Sequence, residues 1–419
     1  MTPTPANIAI WAIAALATAG VIARPFKLPE AVWAVSGAVL LLVVGLLPWS
    51  AALKAVGKGL DVYLFLTGMM LLSETARREG VFDWVAAFAV DRARGSPKRL
   101  FLLIYGVGVV VTAFLSNDAA AVVLTPAVAA AARKAKAPAL PYFFVCAFIA
   151  NAASFVLPIS NPANLVLYGD HTPPLGRWLA SFALPSVLSI VATYVALRLV
   201  ERRNLPERCE ARVDQPKLST GGWTAVAGIV VTAIALLVVS ALDQKLGLPT
   251  CILGGLTTAA VLIRNRAAPW ATLKGVSWAV LPLVAGLFVL VEAVNRTGLI
   301  AALASALSEA VKTSVIGAAA ASGAVLALVS NLMNNLPAGL IASTTILKAH
   351  PPQKVVDALL IGVDLGPNLS ITGSLATILW LTAIRREGES VGFWRFLKVG
   401  AAVMPPALVL AIGARLILS

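Results

Sequence analysis

The chain is poor in charge and in every residue type that usually carries metal or redox chemistry. Only 12% of its 419 residues are charged, against roughly 25% in soluble domains, which excludes an ordinary soluble fold. Cysteine occurs three times and histidine twice. No CxxC pair and no His–Cys cluster accompanies them, so neither a disulfide framework nor a metal site is expected. Cys146 and Cys251 are single and apolar-flanked and read as small core residues; Cys209, His171 and His350 read as loop residues. No GxxxxGK[ST] phosphate loop is present, so the chain is not expected to hydrolyse ATP itself. No cofactor is implied. The first apolar run, 8–23, lacks a basic stretch before it and reads as a span rather than a cleaved leader. No alternating strands are visible, which argues against a barrel.

What the chain has is apolar length. It is 59% hydrophobic, with a mean hydropathy of +0.89, and reads as an all-α membrane protein with many spans. Spans are expected over 7–23, 31–47, 60–75, 142–168, 178–200, 223–241, 250–264, 277–293, 355–384 and 394–418. Two further segments, 100–132 and 313–347, are apolar runs interrupted by polar residues and read as re-entrant helical hairpins. Residues 81–90 and 299–310 read as amphipathic helices along the interface. The formal net charge is +14, yet the cations gather in short loops, which marks orientation rather than nucleic-acid binding. The largest cluster is Arg198, Arg202, Arg203, Arg208, Arg212 and Lys217. It places the central linker, 201–220, in the cytoplasm and the N-terminus outside.

The linker separates two copies of one pattern. Pro48, Trp49 and Lys54 return as Pro269, Trp270 and Lys274. Gly68, Glu74, Arg78 and Gly80 return 218 residues later as Gly286, Glu292, Arg296 and Gly298. Asn117-Asp118 is expected to match Asn334-Asn335. Each repeat, 1–200 and 221–419, then holds five crossings and one hairpin. An odd number makes the second repeat inverted, the mark of a secondary transporter. If both hairpins crossed fully, there would be twelve spans and the repeats would be parallel. In the ten-span reading the first three spans of each half (221–293 in the second) form a scaffold. Residues 100–200 and 313–419 form the moving transport domain.

Polar residues inside a bilayer are costly and therefore informative. They fall in four clusters that pair across the repeat. The first is Ser116-Asn117-Asp118. The second is Asn151 and Ser154 with the run Pro158 to Asn164, which includes Ser160 and Asn161. The third is Ser330-Asn331 with Asn334-Asn335-Leu336-Pro337, and the fourth is Asp364 to Asn368 with Thr372-Gly373-Ser374. Pro and Gly break helices there. The broken ends offer N–H groups with partial positive charge and free carbonyls. Two hairpin tips and two broken spans at mid-membrane make a polar cage, although each cluster alone also fits a satisfied kink. Ser116, Asn117, Asn161, Asn164, Ser330, Asn334, Asn335, Thr372, Gly373 and Ser374 are the candidate substrate-binding residues. Asp118 fits two roles, a proton carrier or a helix N-cap, and Asp364 is the second candidate carrier. Glu74 and Glu292 read as interfacial ion pairs with neighbouring arginines.

The runs 114–120 (FLSNDAA), 330–337 (SNLMNNLP) and 371–377 (ITGSLAT) resemble the arsenite efflux pump family, ArsB, of the ion transporter superfamily. The resemblance covers essentially the whole chain. It implies two hairpins holding the substrate between a scaffold and a mobile domain, in a bacterial inner membrane. It also implies export of trivalent arsenic and antimony hydroxides, driven by proton entry or assisted by an ArsA-type ATPase. Superfamily relatives suggest a homodimer. Sodium–dicarboxylate relatives resemble the pattern with Ser-Asn-Thr at the tips, where this chain carries Asp118 and Asn335. A carboxylate there repels a dianion and tolerates a neutral trihydroxide, though silicic or boric acid would satisfy the same groups. A sodium- or proton-coupled anion symporter, a passive metalloid channel and the membrane subunit of an ATP-driven pump remain as other readings.

Overall fold

The structure is a computed structural model that describes residues 4–169, 172–210 and 217–418. His171 and Arg212, placed above in a loop and in the linker, lie outside the described residues. Among those described there is no strand. The first repeat runs α1 (Pro5–Ala23), α2 (Glu30–Val43), α3 (Trp49–Lys58), α4 (Leu60–Arg78), α5 (Val81–Ala93) and α6 (Pro97–Leu115). It continues through α7 (Asn117–Ala119), a π-helical stretch (Ala120–Leu124), α8 (Thr125–Lys134), α9 (Leu140–Ala152), α10 (Pro162–Tyr168) and α11 (Leu175–Val200). The second comprises α12 (Thr220–Ala241), α13 (Gly247–Asn265), α14 (Trp270–Gly275), α15 (Val280–Arg296), α16 (Leu299–Thr313) and α17 (Val315–Met333). After these come α18 (Asn335–Ala349), α19 (Gln353–Leu365), α20 (Leu375–Arg386) and α21 (Phe393–Ile417).

Local chemistry sets the helix starts, and it repeats. Ser96 caps α6 through Arg99 N at 3.4 Å, and Ser314, 218 residues on, caps α17 through Gly317 N at 3.1 Å. Thr4 and Ser219 do the same for α1 and α12. The span expected over 31–47 ends early. Its helix stops at Val43, Gly45 turns the chain at φ +75°, and Pro48 precedes the amphipathic α3.

Among the described residues, seven helices (α1, α6, α11, α12, α13, α17 and α21) are long and apolar enough to cross a bilayer. Length alone would count α6 and α17 as crossings; their ends show otherwise. Gly95 precedes α6 and Ala135 follows α8, and both carbonyls accept bonds from adjacent linker residues: Cys209 N at 3.1 Å and Glu210 N at 2.9 Å. The segment therefore enters and leaves on one side, the linker side. In the second repeat Glu309 and Lys312, before α17, share one surface concavity with Lys348 near the end of α18. In both repeats the two ends of the hairpin lie on one side of the molecule, the arrangement a re-entrant segment would have.

Side-chain pairs fix the relation of the repeats. The equivalent helices α4 and α15 meet through Tyr63–Phe288 (ring centroids 6.3 Å), Lys58–Glu292 (3.4 Å) and Glu74 against Gly275. Numbers rise along one helix as they fall along the other, so the two run antiparallel and the repeats are inverted. By contrast α4 and α13 run parallel, joined by Asp61–Gly247, Thr75–Thr258 and Glu79–Asn265. Their backbones touch because Gly68 and Gly254 face each other; a Cβ on Gly68 would lie 2.1 Å from Thr250 O. Small residues at such crossings are how membrane helices gain close packing. Helices α4, α12 and α13 pack together, α1 and α2 pack on α15, and α6 to α11 and α17 to α21 pack among themselves.

Candidate functional site

Each hairpin turns at a residue forced into positive φ. Ser116 has φ 90° and ψ 160°, and Asn334 has φ 75° and ψ 153°. Neither is glycine, so each stores roughly 1–3 kcal/mol of strain, a feature that gathers at functional sites. These two geometries correct the repeat register. Ser116 matches Asn334, so Asn117 matches Asn335, and Asp118 matches Leu336. The carboxylate at the first tip therefore has no polar counterpart at the second. Helix α7 begins at Asn117, and Asp118 makes no capping bond, which removes the N-cap role. A π-helical stretch follows at once, as is frequent beside functional sites.

The broken spans interlock across the repeats. Asn161 Nδ2 donates to Asp364 Oδ1 at 2.7 Å, and Asn151 Nδ2 donates to Asn368 Oδ1 at 3.0 Å. The second hairpin tip docks on the second break, where Asn335 N donates to Gly373 O at 2.8 Å. Gly373 allows this approach; a Cβ there would sit 2.5 Å from Pro367 Cα and 2.8 Å from Asn331 Oδ1. Helices α7, α10, α18 and α20 all start at these breaks, with Ser116, Asn161, Asn334 and Ser374 as N-caps.

Several candidates are committed to the fold. Asn164 Nδ2 donates to the carbonyls of Ser154 (2.9 Å), Leu157 and Pro158 (both 3.3 Å). Thr377 does the same work in the second break, bonding Ile371 O and Ser374 O at 2.8 Å. Ser330 bonds back to Leu326 O at 2.8 Å, and Thr372 bonds Asn331 O at 3.0 Å. Asn161 Oδ1 caps Ala163 N, Asn334 Oδ1 accepts from Leu336 N, and Ser374 Oγ forms a capping box with Thr377. At the tips and breaks, buried oxygens without a partner remain on Asn117, Asn151 and Asn164 (Oδ1) and on Asp364 (Oδ2). Ser370 and Thr377 carry polar contacts, although neither was among the site residues expected from the sequence. The whole of a second network, described below, was also missed.

Two crevices flank this core. On the linker side, a space of about 620 Å³ is lined by Ser73 and Glu74 of α4, Ser116 and Asp118 of the tip, Pro162 and Leu379. Glu74 is neutralised by Arg77, with bonds of 2.7 Å to each carboxylate oxygen. Asp118 has no ion-pair or hydrogen-bond partner among the described residues. It is therefore the uncompensated carboxylate of that crevice. The opposite crevice, about 1020 Å³, carries Lys58 and Glu292 but meets Leu165, Val166 and Leu340 rather than a tip. Glu292 pairs with Arg296 at 3.2 Å and Lys58 at 3.4 Å, so both glutamates are ion-paired as expected. The three cysteines are free, and no group of three metal-ligating side chains forms among the described residues.

On the far side Asp357, fully buried, accepts bonds from Arg415 Nε (2.6 Å), Tyr168 OH (2.7 Å) and Gln353 Nε2 (2.7 Å). Asp364–Asn161 and Asp357–Tyr168 are each seven residues apart on α19 and α10, so one face of α19 pins both ends of α10.

The sequence profile of the CitMHS family, described as citrate transporter, matches residues 10–366. An arsenical pump membrane protein of Escherichia coli K12 is 28% identical over 405 residues, covering 90% of this chain and 91% of its own. One from Yersinia enterocolitica is 27% identical over 366 residues, covering 83% of each. An uncharacterized transporter of Mycobacterium tuberculosis is 26% identical over 365 residues, covering 84% of each. Among solved structures, the YdaH transporter of Alcanivorax borkumensis aligns with a TM-score of 0.59 at 15% identity, covering 88% of this chain and 87% of that one.

Proposed function

Because the chain belongs to the CitMHS family of transporters, we propose that it is a bacterial inner-membrane carrier that exports trivalent arsenic and antimony hydroxides in exchange for protons. The observation that carries this reading is the unpaired Asp118 at the hairpin tip, in the crevice that opens toward the linker. A carboxylate at bilayer depth must find a partner, take up a proton or meet water. Facing a crevice, it can do the last two in turn. A neutral trihydroxide can donate to this carboxylate and accept from the Asn117 and Asn335 amides, whereas a dianion would meet repulsion. The arsenical-pump names of the relatives support the same cargo.

In this mechanism the group α6–α11 with α17–α21 is the transport domain, and the group built on α4, α13 and their neighbours is the scaffold. With the basic linker cytoplasmic, the crevice that reaches Asp118 loads from the cytoplasm. Substrate enters with Asp118 ionised, the transport domain shifts against the scaffold, and a proton from outside displaces the substrate. The proton then returns inward with the empty carrier.

A second reading, anion symport, has its own support. The family's description is citrate transporter, and four helices begin at the breaks, where N-termini favour anions. One assay separates the two. Everted vesicles with an imposed pH gradient and no ATP are expected to accumulate arsenite, and to lose it when a protonophore collapses the gradient. Sodium-dependent citrate uptake without arsenite accumulation would favour the symporter.

The cysteines stand outside this scheme. Cys146 is buried with its Sγ 3.6 Å from Tyr142 O. Burial and then the Glu210 carboxylate push the Cys209 thiol up, away from the reactive thiolate. A carrier with all three cysteines replaced by Ser or Ala is expected to export arsenite at a largely unchanged rate. Loss of transport in a well-folded cysteine-free protein would give the thiols a part in moving the substrate.

A further inference from the structure

On the linker side, where α6 begins and α11 ends, a surface concavity is lined by Lys98, Arg198, Leu199, Arg202 and Arg203. Four of its five residues are cations, and no carboxylate lines it. None of the four makes an ion pair among the described residues. Glu201, the nearest acid in sequence, is buried and accepts from Asn204 Nδ2 at 2.8 Å. The site is also unfavourable without an anion: Lys98 occupies the first turn of α6, which holds no acidic residue, and that end of the helix dipole repels cations.

The concavity adjoins an apolar strip. Leu102 of α6 is exposed, as are Val187, Val191, Val195 and Leu199 of α11, four residues apart and so on one helix face. We propose that this concavity binds an anionic phospholipid of the linker-side leaflet. Its phosphate lies among Lys98, Arg202 and Arg203, and its chains lie along the α11 strip. The cations alone would suit any phosphate, but a soluble anion or an acidic protein has nothing to place on a strip at bilayer depth. Basic pockets beside spans on the cytoplasmic side are a recognised kind of lipid site.

The test uses the detergent-purified full chain, incubated with equal phosphatidylglycerol and phosphatidylcholine, gel-filtered, and assayed for retained lipid. Phosphatidylglycerol is expected to be retained about tenfold over phosphatidylcholine, and K98Q/R202Q/R203Q is expected to lose that preference. Equal retention by the native protein, or an unchanged preference in the variant, overturns the proposal. So does displacement of the lipid by inorganic phosphate, which would make this a soluble-anion site. If the variant fails to fold, the native protein is washed in about 1 M salt, where the screening length is about 3 Å. The preference should disappear there, and its persistence equally overturns the proposal.

Discussion

Replacing Asp118 with Asn is expected to reduce gradient-driven arsenite accumulation in everted vesicles to that of vesicles without the carrier, while the protein remains folded. The substitution keeps the shape of the side chain and removes only its ability to ionise. Structure need not suffer: among the described residues Asp118 caps no helix and pairs with no cation. A carrier that moves a proton by charging and discharging this group loses that coupling altogether. Exchange without a gradient, arsenite for arsenite, is expected to survive in part, because the substitution leaves every other polar group of the tip in place. Folding is checked by gel filtration and helical circular dichroism. Full accumulation by a folded Asp118→Asn protein would take Asp118 out of the mechanism and leave Asp364 as the remaining candidate.

Asp357→Ala is expected to destabilise the protein by about 3–5 kcal/mol, the usual cost of leaving a buried charge unpaired. Arg415 is buried and its Nε bonds Asp357 at 2.6 Å; the alanine variant strands that guanidinium. It also frees Tyr168, and with it the far end of α10, whose near end carries Asn161. Removing both charges together, in Asp357→Ala with Arg415→Met, should recover much of the loss, since a paired burial often contributes little net stability. Thermal unfolding in detergent measures both. If the single variant melts within a degree or two of the parent, the pair is not what holds α10 to α19.

The comparison with the sequence runs unevenly across the site. The helix breaks and the helices expected over 81–90 and 299–310, observed as 81–93 and 299–313, were legible because each depends on local pattern: apolar runs, Pro and Gly at the breaks, Ser before a helix start. The break residues Ser116 and Asn334 fall inside the polar clusters that the pattern marked. Asn164 was marked for the right depth, but its amide turned out to close the break loop. Depth in a helix says nothing about which way a side chain points. Tyr168, Asp357 and Arg415 escaped notice because each lies near a span end, where a charged or phenolic side chain is ordinary.

Sequence alone settled the class of molecule. Long apolar runs with few charges leave a chain only helices in a bilayer, since every backbone polar group must be satisfied within its own segment. An internal repeat with an odd number of crossings would have to be inverted. Tertiary structure decided what depends on partners far apart in the chain. It brought the two ends of the first hairpin onto adjacent linker residues, Cys209 and Glu210. It moved the repeat register by one residue, which gave Asp118 an apolar counterpart. And it matched Asp364 with Asn161 and Asp357 with Arg415 and Tyr168. Buried polar groups must be paired by whatever the fold brings within about 3 Å, and no local pattern fixes which residues those are.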